Sequence, residues 1–400
     1  MLRIFSSLFL LLLLLACQSG IDYTELSAFE GEVIALQKKY APDRRTDRVD
    51  VNYKYDLTTK SAVIEGITTV PAAFDCLKAL LAAHYPTVDN AVRLLPDTAV
   101  GATTAGIIKV SVANLRSKPG HSQELATQAL LGTPIEVLDK QNNWYLVRTP
   151  DRYLAWLEPG AFAAYSPKKA KDWLTSDLSR YLPAFGFLRA SPRGKQIVSD
   201  LVAGNLLLRT GLDAEGYTEV SLPDNQIGWV PTNELGNYTD WQAPRELVSE
   251  VLLEAAASLA GRPYLWGGTS PKGMDCSGFT KTAYYLNGYV IPRDASQQVH
   301  AGTEVELTKD FANLLAGDLL FFGRYREDGS QRITHVGMYL GEGRFLHAGA
   351  DNGRITENSL SPSDSLFAEH RLKSLLRAKR LSAGAMGVVT VKDAFQQLAD

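Results

Sequence analysis

The chain is poor in cysteine, carries no excess of basic charge and has no apolar run of membrane-spanning length at its start. Three cysteines, at 17, 76 and 276, are spread over 400 residues. An odd, sparse set cannot form a disulfide framework, so each thiol needs its own explanation. No Cys-x-x-Cys pair is present, and a zinc site would have only one Cys and two His as visible ligands, which is a weak case. Lys and Arg number 41 against 44 Asp and Glu, for a net charge of -3, so charge recommends neither nucleic acid nor an anionic membrane surface. The amino-terminal apolar run, about Leu8 to Ala16, is shorter than the roughly 20 residues a spanning helix needs. What is present is ordinary for packed domains: 45% hydrophobic and 21% charged residues, enough to bury several cores and unlike a disordered chain.

The first cysteine is explained by its position. Arg3, then a short apolar stretch, then Leu14-Leu15-Ala16-Cys17 has the layout of an export signal. Its ending resembles a bacterial lipobox, which implies that residues 1–17 hold a lipoprotein signal and that Cys17 becomes the lipidated first residue. The expectation is an exported protein tethered by lipid to a bacterial membrane, on its periplasmic or outer side.

Residues 21–96 read as a small α+β region. Leu26 to Tyr40 has helical spacing, Val49 to Tyr53 and Val63 to Thr69 alternate as strands, and Phe74 to His84 is a helix opening after Pro71. Cys76 lies in that helix beside Leu77 and Leu80, where a free thiol acts as a small buried hydrophobe. From 97 to 165 the texture changes to short strands separated by turn signals, with Trp144-Tyr145-Leu146-Val147 and Tyr153-Leu154-Ala155-Trp156-Leu157 as landmarks. The order resembles a bacterial SH3-like β-barrel. Residues 166–240 read as a helical connector, Ala170 to Tyr181, and a looser second copy ending at Trp229. Trp241 to Arg245 is a plausible linker, Glu246 to Leu259 a helix, and 241–382 one mixed α/β domain. A tail, 383–400, carries a possible short helix from Val391 to Leu398 and no assigned function.

The chemistry concentrates between 264 and 347. Tyr264-Leu265-Trp266-Gly267-Gly268 is followed by Met274-Asp275-Cys276-Ser277-Gly278-Phe279, and Phe279, Ala283 and Leu286 then recur on one helical face. This places Cys276 at a helix amino terminus, where free N–H groups and the helix dipole favour a thiolate and offer an oxyanion site. Downstream, Ile333 to Leu340 and Arg344 to Gly349 alternate as strands around Gly341-Glu342-Gly343. With those three residues as the hairpin loop, Leu340 faces Arg344, His335 faces Gly349 and His347 faces Gly337. Both histidines then share one sheet face as diagonal neighbours, with His335 as general base toward Cys276 and His347 orienting it. A two-residue turn would instead put them on opposite faces.

These residues resemble the NlpC-type papain-like peptidases, which cleave peptidoglycan stem peptides. The resemblance is carried by Asp-Cys-Ser-Gly-Phe, Thr-His-Val-Gly-Met-Tyr, Phe-Leu-His-Ala and Gly317-Asp318-Leu319-Leu320-Phe321-Phe322, and spans about 255–380. The layout is similar to that of γ-D-glutamyl-L-diamino acid endopeptidases with two SH3-like domains. That resemblance implies a multidomain α+β protein, two small SH3-like β-barrels followed by a papain-like α+β catalytic domain, acting as a monomer without a cofactor. It implies an aromatic wall at Tyr264 and Trp266 and polar substrate contacts from Asp275 and Ser277. Asp294 then stands near the substrate amine, with Glu124 and Tyr153 of the first barrel over the cleft. Ala295 replaces an expected hydroxyl residue. The partner implied is a stem peptide, L-Ala-γ-D-Glu-diamino acid, read through its free amine. Three other readings stay open: a wall-remodelling hydrolase on intact peptidoglycan, an acyltransferase or amidase on another substrate, and a non-catalytic wall-binding lipoprotein.

Overall fold

The computed structural model describes residues 23–399 apart from 57–60, 87, 244, 245 and 248. The signal segment and Cys17 lie outside the described residues, as do Pro244 and Arg245 of the expected linker. The chain divides into two compact units, with a boundary between Thr98 and Ala99.

In the first unit, α1 (Tyr23–Tyr40) and α2 (Pro71–His84) accompany a sheet of β1 (Val49–Asp56), β2 (Ser61–Thr68) and β3 (Asp89–Leu94). β1 and β2 pair antiparallel, whereas β2 and β3 pair parallel, with α2 as the crossover. Pro71 opens α2, where a missing N–H costs nothing. Phe29, Val33, Ile64, Leu77, Leu81 and Val92 form the core. Cys76 is not among them. It is only half-buried, with its sulfur 3.2 Å from the Tyr40 hydroxyl.

The second unit begins with seven antiparallel strands, β4 (Ala105–Ile108), β5 (Val112–Arg116), β6 (Leu125–Leu130), β7 (Pro134–Gln141), β8 (Trp144–Arg148), β9 (Leu154–Leu157) and β10 (Phe162–Tyr165), in the order β10-β4-β7-β8-β9-β5-β6. The connector that follows is helical only over α3 (Pro167–Leu174), capped by the Ser166 hydroxyl. Its second half is a strand, because the Thr175 and Ser176 hydroxyls bond back to the Lys171 and Asp172 carbonyls and end the helix. A second sheet takes up β11 (Leu178–Tyr181), β12 (Phe185–Arg189), β13 (Ile197–Val202), β14 (Leu206–Ala214), β15 (Tyr217–Ser221), β16 (Ile227–Pro231) and β17 (Leu235–Asn237). Its order, β13-β12-β16-β15-β14-β11-β17, is that of the first sheet read from the other edge, strand for strand. Neither sheet pairs its two end strands among the described residues.

The two sheets meet through matching turns. Gly132 and Gly204, both with left-handed φ of 85° and 91°, follow β6 and β13. A Cβ on Gly132 would stand 2.4 Å from Leu206 Cβ, and one on Gly204 would stand 2.7 Å from the Tyr285 ring, so side chains are excluded at both.

The remaining chain forms a six-stranded antiparallel sheet, β21 (Thr303–Val305), β22 (Leu319–Tyr325), β23 (Gln331–Gly341), β24 (Arg344–Gly349), β25 (Arg354–Ser359) and β26 (Leu375–Arg380), in the order β21-β26-β22-β23-β24-β25. Short pairs β18 (Thr269–Ser270) with β19 (Gly273–Met274), and β20 (Tyr289–Val290) with β27 (Val389–Thr390), flank it. Its helices are α4 (Tyr238–Gln242), α5 (Ser249–Ser258), α6 (Cys276–Leu286), α7 (Ala295–Gln298), α8 (Glu369–Ser374) and α9 (Val391–Ala399). Phe279 and Ala283 of α6 pack with Phe321, Val336, Met338 and Ala348 of the sheet. Trp241, expected in a linker, is instead buried in α4, with its indole N–H shared between the Tyr285 and Leu286 carbonyls. The tail is structural: Val391, Ala394 and Phe395 of α9 pack with Ile107, Trp173, Leu206 and Trp241, so it joins both sheets to the catalytic part.

Candidate active site

Cys276 is the first residue of α6, and Asp275 caps the helix by accepting from the Gly278 N–H at 2.7 Å. The other Asp275 oxygen accepts from the Gly267 N–H at 3.0 Å, which folds the Gly-rich loop against the helix start. Gly267 has φ 78° and lies against the Leu125 carbonyl of the first sheet, where a Cβ would clash at 2.1 Å. The thiol is buried. Burial pushes it up to about 12, with the Asp275 charge adding and the N–H groups of Val336 and Ser277 opposing. Desolvation therefore opposes and outweighs the expected thiolate-stabilising effect of the helix terminus.

The histidines are brought together through a different turn from the expected one. Glu342 and Gly343, with φ of 52° and 78°, make a two-residue turn between Gly341 and Arg344. That turn alone would put His335 and His347 on opposite faces. A bulge between Tyr339 and Gly341 adds one residue, so that Tyr339 pairs with Phe345 and Met338 with Leu346. The shift restores the shared face, and His335 Nε2 lies 2.9 Å from His347 Nδ1. Leu340 consequently does not face Arg344. Gly337 leaves the room required, since a Cβ there would stand 3.2 Å from His347 Cβ.

The protons in this chain follow from its far end. The Asn358 amide nitrogen donates to the Leu366 carbonyl at 3.3 Å, which orients Asn358 Oδ1 toward His347 Nε2 at 2.8 Å. His347 Nε2–H then donates to Asn358, His347 Nδ1 accepts from His335 Nε2–H, and His335 Nδ1 is the nitrogen left for the thiol. The Val336 N–H, next along from His335, reaches the Cys276 sulfur. Burial, then the Arg371 charge, holds His335 well below its ordinary value, and burial lowers His347 to about 4.

Asp275 and Ser277 serve the protein interior rather than the cleft. Arg293, almost fully buried, donates to both Asp275 oxygens at 3.1 and 2.6 Å and to Ser277 Oγ at 3.0 Å. Its Nε donates to Thr127 Oγ1 of the first sheet at 3.0 Å. With Gly267, Gly278 and Ser277 also donating to it, the Asp275 carboxylate is saturated. The expected substrate contacts from Asp275 and Ser277 are therefore replaced by an internal clamp on the nucleophile's helix.

The other expected residues are drawn to the junction with the first sheet. Trp266, 62% exposed, donates its indole N–H to Glu124 at 2.7 Å. Tyr153 donates to Asp294 Oδ2 at 3.3 Å. Asp294 opens α7 with a capping box to Gln297, and Ala295 is buried just behind it. Burial pushes the Tyr264 hydroxyl up to about 12, and its ring packs against the buried cluster that holds Cys276. Gln128 of β6 completes the junction, accepting from the Thr269 N–H at 3.0 Å and the Ser270 hydroxyl at 2.9 Å.

Arg293, Asn358 and Arg371 escaped the sequence reading. Arg293 sits beside Asp294 but looks like one more surface cation, Asn358 is an ordinary strand residue, and Arg371 reaches the site only because α8 packs against β22, where its guanidinium lies over the Phe322 ring. Arg371 is held by Asp351 at 3.0 Å. Among the described residues no cluster of three or more His, Cys, Asp or Glu side chains is placed to hold a metal ion.

Comparison with known proteins adds a second line of argument. Residues 261–373 match the NlpC/P60 family and residues 111–162 match the bacterial SH3 domain. The γ-D-glutamyl-L-lysine dipeptidyl-peptidase of Bacillus subtilis is 35% identical over 234 residues, covering 56% of this chain and 72% of that protein. Its Bacillus cereus counterpart is 31% identical, covering 57% and 68%. A crystal structure of an NlpC/P60 family protein from Bacillus cereus superposes with a TM-score of 0.57 at 25% identity, over 69% of this chain and 99% of that one. An NlpC/P60 endopeptidase from Photobacterium damselae shares the fold at 14% identity, with a TM-score of 0.53 over 94% of each chain.

Proposed function

The chain belongs to the NlpC/P60 family, and on that footing we propose that it is a cysteine peptidase cleaving the γ-D-glutamyl–diamino acid bond of peptidoglycan stem peptides with a free amino-terminal L-alanine. The observation that carries the reading is the meeting of the first sheet with the catalytic residues. Glu124 and Asp294, from distant parts of the sequence, are each held by an aromatic donor at one junction, Trp266 and Tyr153 respectively. A peptide amine entering there exchanges water for two carboxylates, and an acylated amine leaves both without a cation.

In this reading His335 Nδ1 takes the Cys276 proton as sulfur attacks the γ-carbonyl carbon of D-glutamate. N–H groups at the start of α6 stabilise the oxyanion. Collapse breaks the C–N bond, and His335 returns the proton to the departing diamino acid amine. Water, deprotonated by His335, then hydrolyses the thioester and releases L-Ala-γ-D-Glu. His347 and Asn358 hold the tautomer throughout.

The second sheet, with the strand order of the first, is read as a second SH3-like module. Export and lipidation at Cys17 would place the enzyme at a membrane surface where released wall peptides pass.

The test is mass spectrometry of L-Ala-γ-D-Glu-diaminopimelate and L-Ala-γ-D-Glu-lysine peptides, free and N-acetylated, with Cys276→Ala as control. Release of L-Ala-γ-D-Glu from the free peptides alone is expected. Equal cleavage of glycan-linked stems would replace this reading with wall remodelling, and no cleavage of any peptide would favour wall binding without catalysis.

A further inference from the structure

Two charged residues that no step of this chemistry uses lie enclosed between the first sheet and α6. The Asp151 side chain is fully buried and that of Lys281 nearly so, and Lys281 Nζ stands 2.5 Å from Asp151 Oδ2. Thr149 Oγ1 donates to the other Asp151 oxygen at 2.5 Å. Burial alone would raise this carboxyl, but Lys281 and Thr149 together hold it below its ordinary range, so Asp151 is kept as a carboxylate.

Their positions in the chain give the pair its meaning. Lys281 lies on α6 little more than one turn beyond Cys276. Asp151 lies in a tight turn closed by Arg152 N–H to the Thr149 carbonyl at 2.8 Å and Thr149 N–H to the Tyr153 carbonyl at 3.0 Å. Arg152 takes φ 65° to make that turn, a conformation a non-glycine residue adopts only when held. The turn delivers Tyr153, whose hydroxyl meets Asp294. One ion pair therefore links the helix bearing the nucleophile to the loop bearing the aromatic donor of the amine site.

Stability is a poor explanation for such a pair. Two charges lose their water on burial, and apolar replacement of both partners is often neutral or stabilising. What short charge-assisted bonds supply is a fixed distance and direction, which an apolar contact does not. A cavity of about 50 Å³ lies alongside, lined by Thr149, Pro150, Asp151, Lys281, Thr282 and Tyr285 among others, so the turn has room to move if it is released.

We infer that the Asp151–Lys281 pair is a positioning device that holds Tyr153 against Asp294 in register with the Cys276 helix, and so sets the preference for a free peptide amine. The inference rests on the amine-reading function proposed above. Its test is the double variant Asp151→Leu/Lys281→Met, in the otherwise intact chain, assayed on free and N-acetylated L-Ala-γ-D-Glu-diaminopimelate. The expected result is a Tm at or above that of the parent, a roughly tenfold higher KM for the free peptide, about the worth of one charge-assisted hydrogen bond, and kcat within about twofold. Cleavage of the acetylated peptide should not change. A folded double variant with the parent's KM and the parent's ratio between the two peptides overturns the inference while leaving the proposed function standing. A parent enzyme that cleaves both peptides equally overturns the proposed function and the inference with it. Should the double variant fail to fold, Thr149→Val decides: a rise in KM of about threefold with unchanged kcat supports the inference, and parental KM refutes it.

Discussion

The two seven-stranded sheets share strand number, strand order and the glycine turn through which they meet, yet most of their hydrogen bonds to the catalytic part fall at opposite ends of one helix. The first sheet reaches the amino end of α6 and its surroundings, through Thr127 on Arg293, Gln128 on Thr269, Glu124 on Trp266 and Tyr153 on Asp294. The second reaches the carboxyl end, where Arg180 donates to the Leu286 carbonyl at 2.8 Å and the Gly204 carbonyl accepts from Tyr285. Its connection to Lys272, through Asp200, is a half-exposed ion pair. The second sheet also leaves Phe185, Phe187, Ile197, Leu212 and Ile227 exposed, while the first exposes no large apolar side chain. The same topology thus serves as part of the site in one copy and as a brace in the other. The end of the helix each copy meets decides which, because only the amino end carries the nucleophile and the free N–H groups.

The largest effect should come from the buried link between the first sheet and the nucleophile cap. Arg293→Met leaves the Asp275 carboxylate enclosed without its cation, and a loss of about 3–5 kcal/mol in chemical denaturation is expected together with loss of peptidase activity. If Arg293→Met melts like the parent, the clamp joining the sheet to α6 is not what holds the helix start.

The histidine pair supplies a reference that belongs to neither sheet. His347 falls from about 6.5 when unfolded to about 4 when folded, so its contribution to stability is complete above pH 6.5. Protonation favours the unfolded chain as pH drops, and on the order of 3 kcal/mol is lost between 6.5 and 4. Thermal melts across that window should fall less steeply for His347→Gln.

Next in size is recognition. Glu124→Ala should raise KM for free-amine peptide roughly tenfold with little change in kcat, by steady-state kinetics. Unaltered KM would reduce the first sheet to the same bracing role as the second. Arg180→Met, the matching contact of the second sheet, should cost about 1 kcal/mol of stability and leave KM unchanged. Smallest of all is Phe187→Ser on the exposed face of the second sheet, expected to stay within twofold of the parent in kcat/KM. A larger loss there would give the second sheet a part in substrate handling.

Much of the site was legible because its signals are local. The Gly-rich loop and the apolar helical face put Cys276 at a helix start from neighbouring residues alone, and strand alternation placed His335 and His347 on adjacent strands. The tandem repeat was also readable, although the first strand of the second copy hid as helix until Leu178–Tyr181 found its strand partners. The hairpin shows the limit. The expected three-residue loop and the actual two-residue turn with a bulge produce the same histidine register, so a wrong turn led to the right pairing. A bulge leaves no reliable mark in sequence, since any residue can be the extra one.

Sequence by itself picked out Cys276, His335 and His347 as candidates, the succession of sheet-rich and mixed regions, and the family, because these depend on residue type and short-range periodicity. Only the tertiary structure decided their environment. Burial reversed the expected lowering of the thiol, Arg293 turned Asp275 and Ser277 inward, and Asn358 fixed the protons on the histidines. Charge state, hydrogen-bond partner and water access are set by atoms far along the chain, and they exist only once distant segments have packed together.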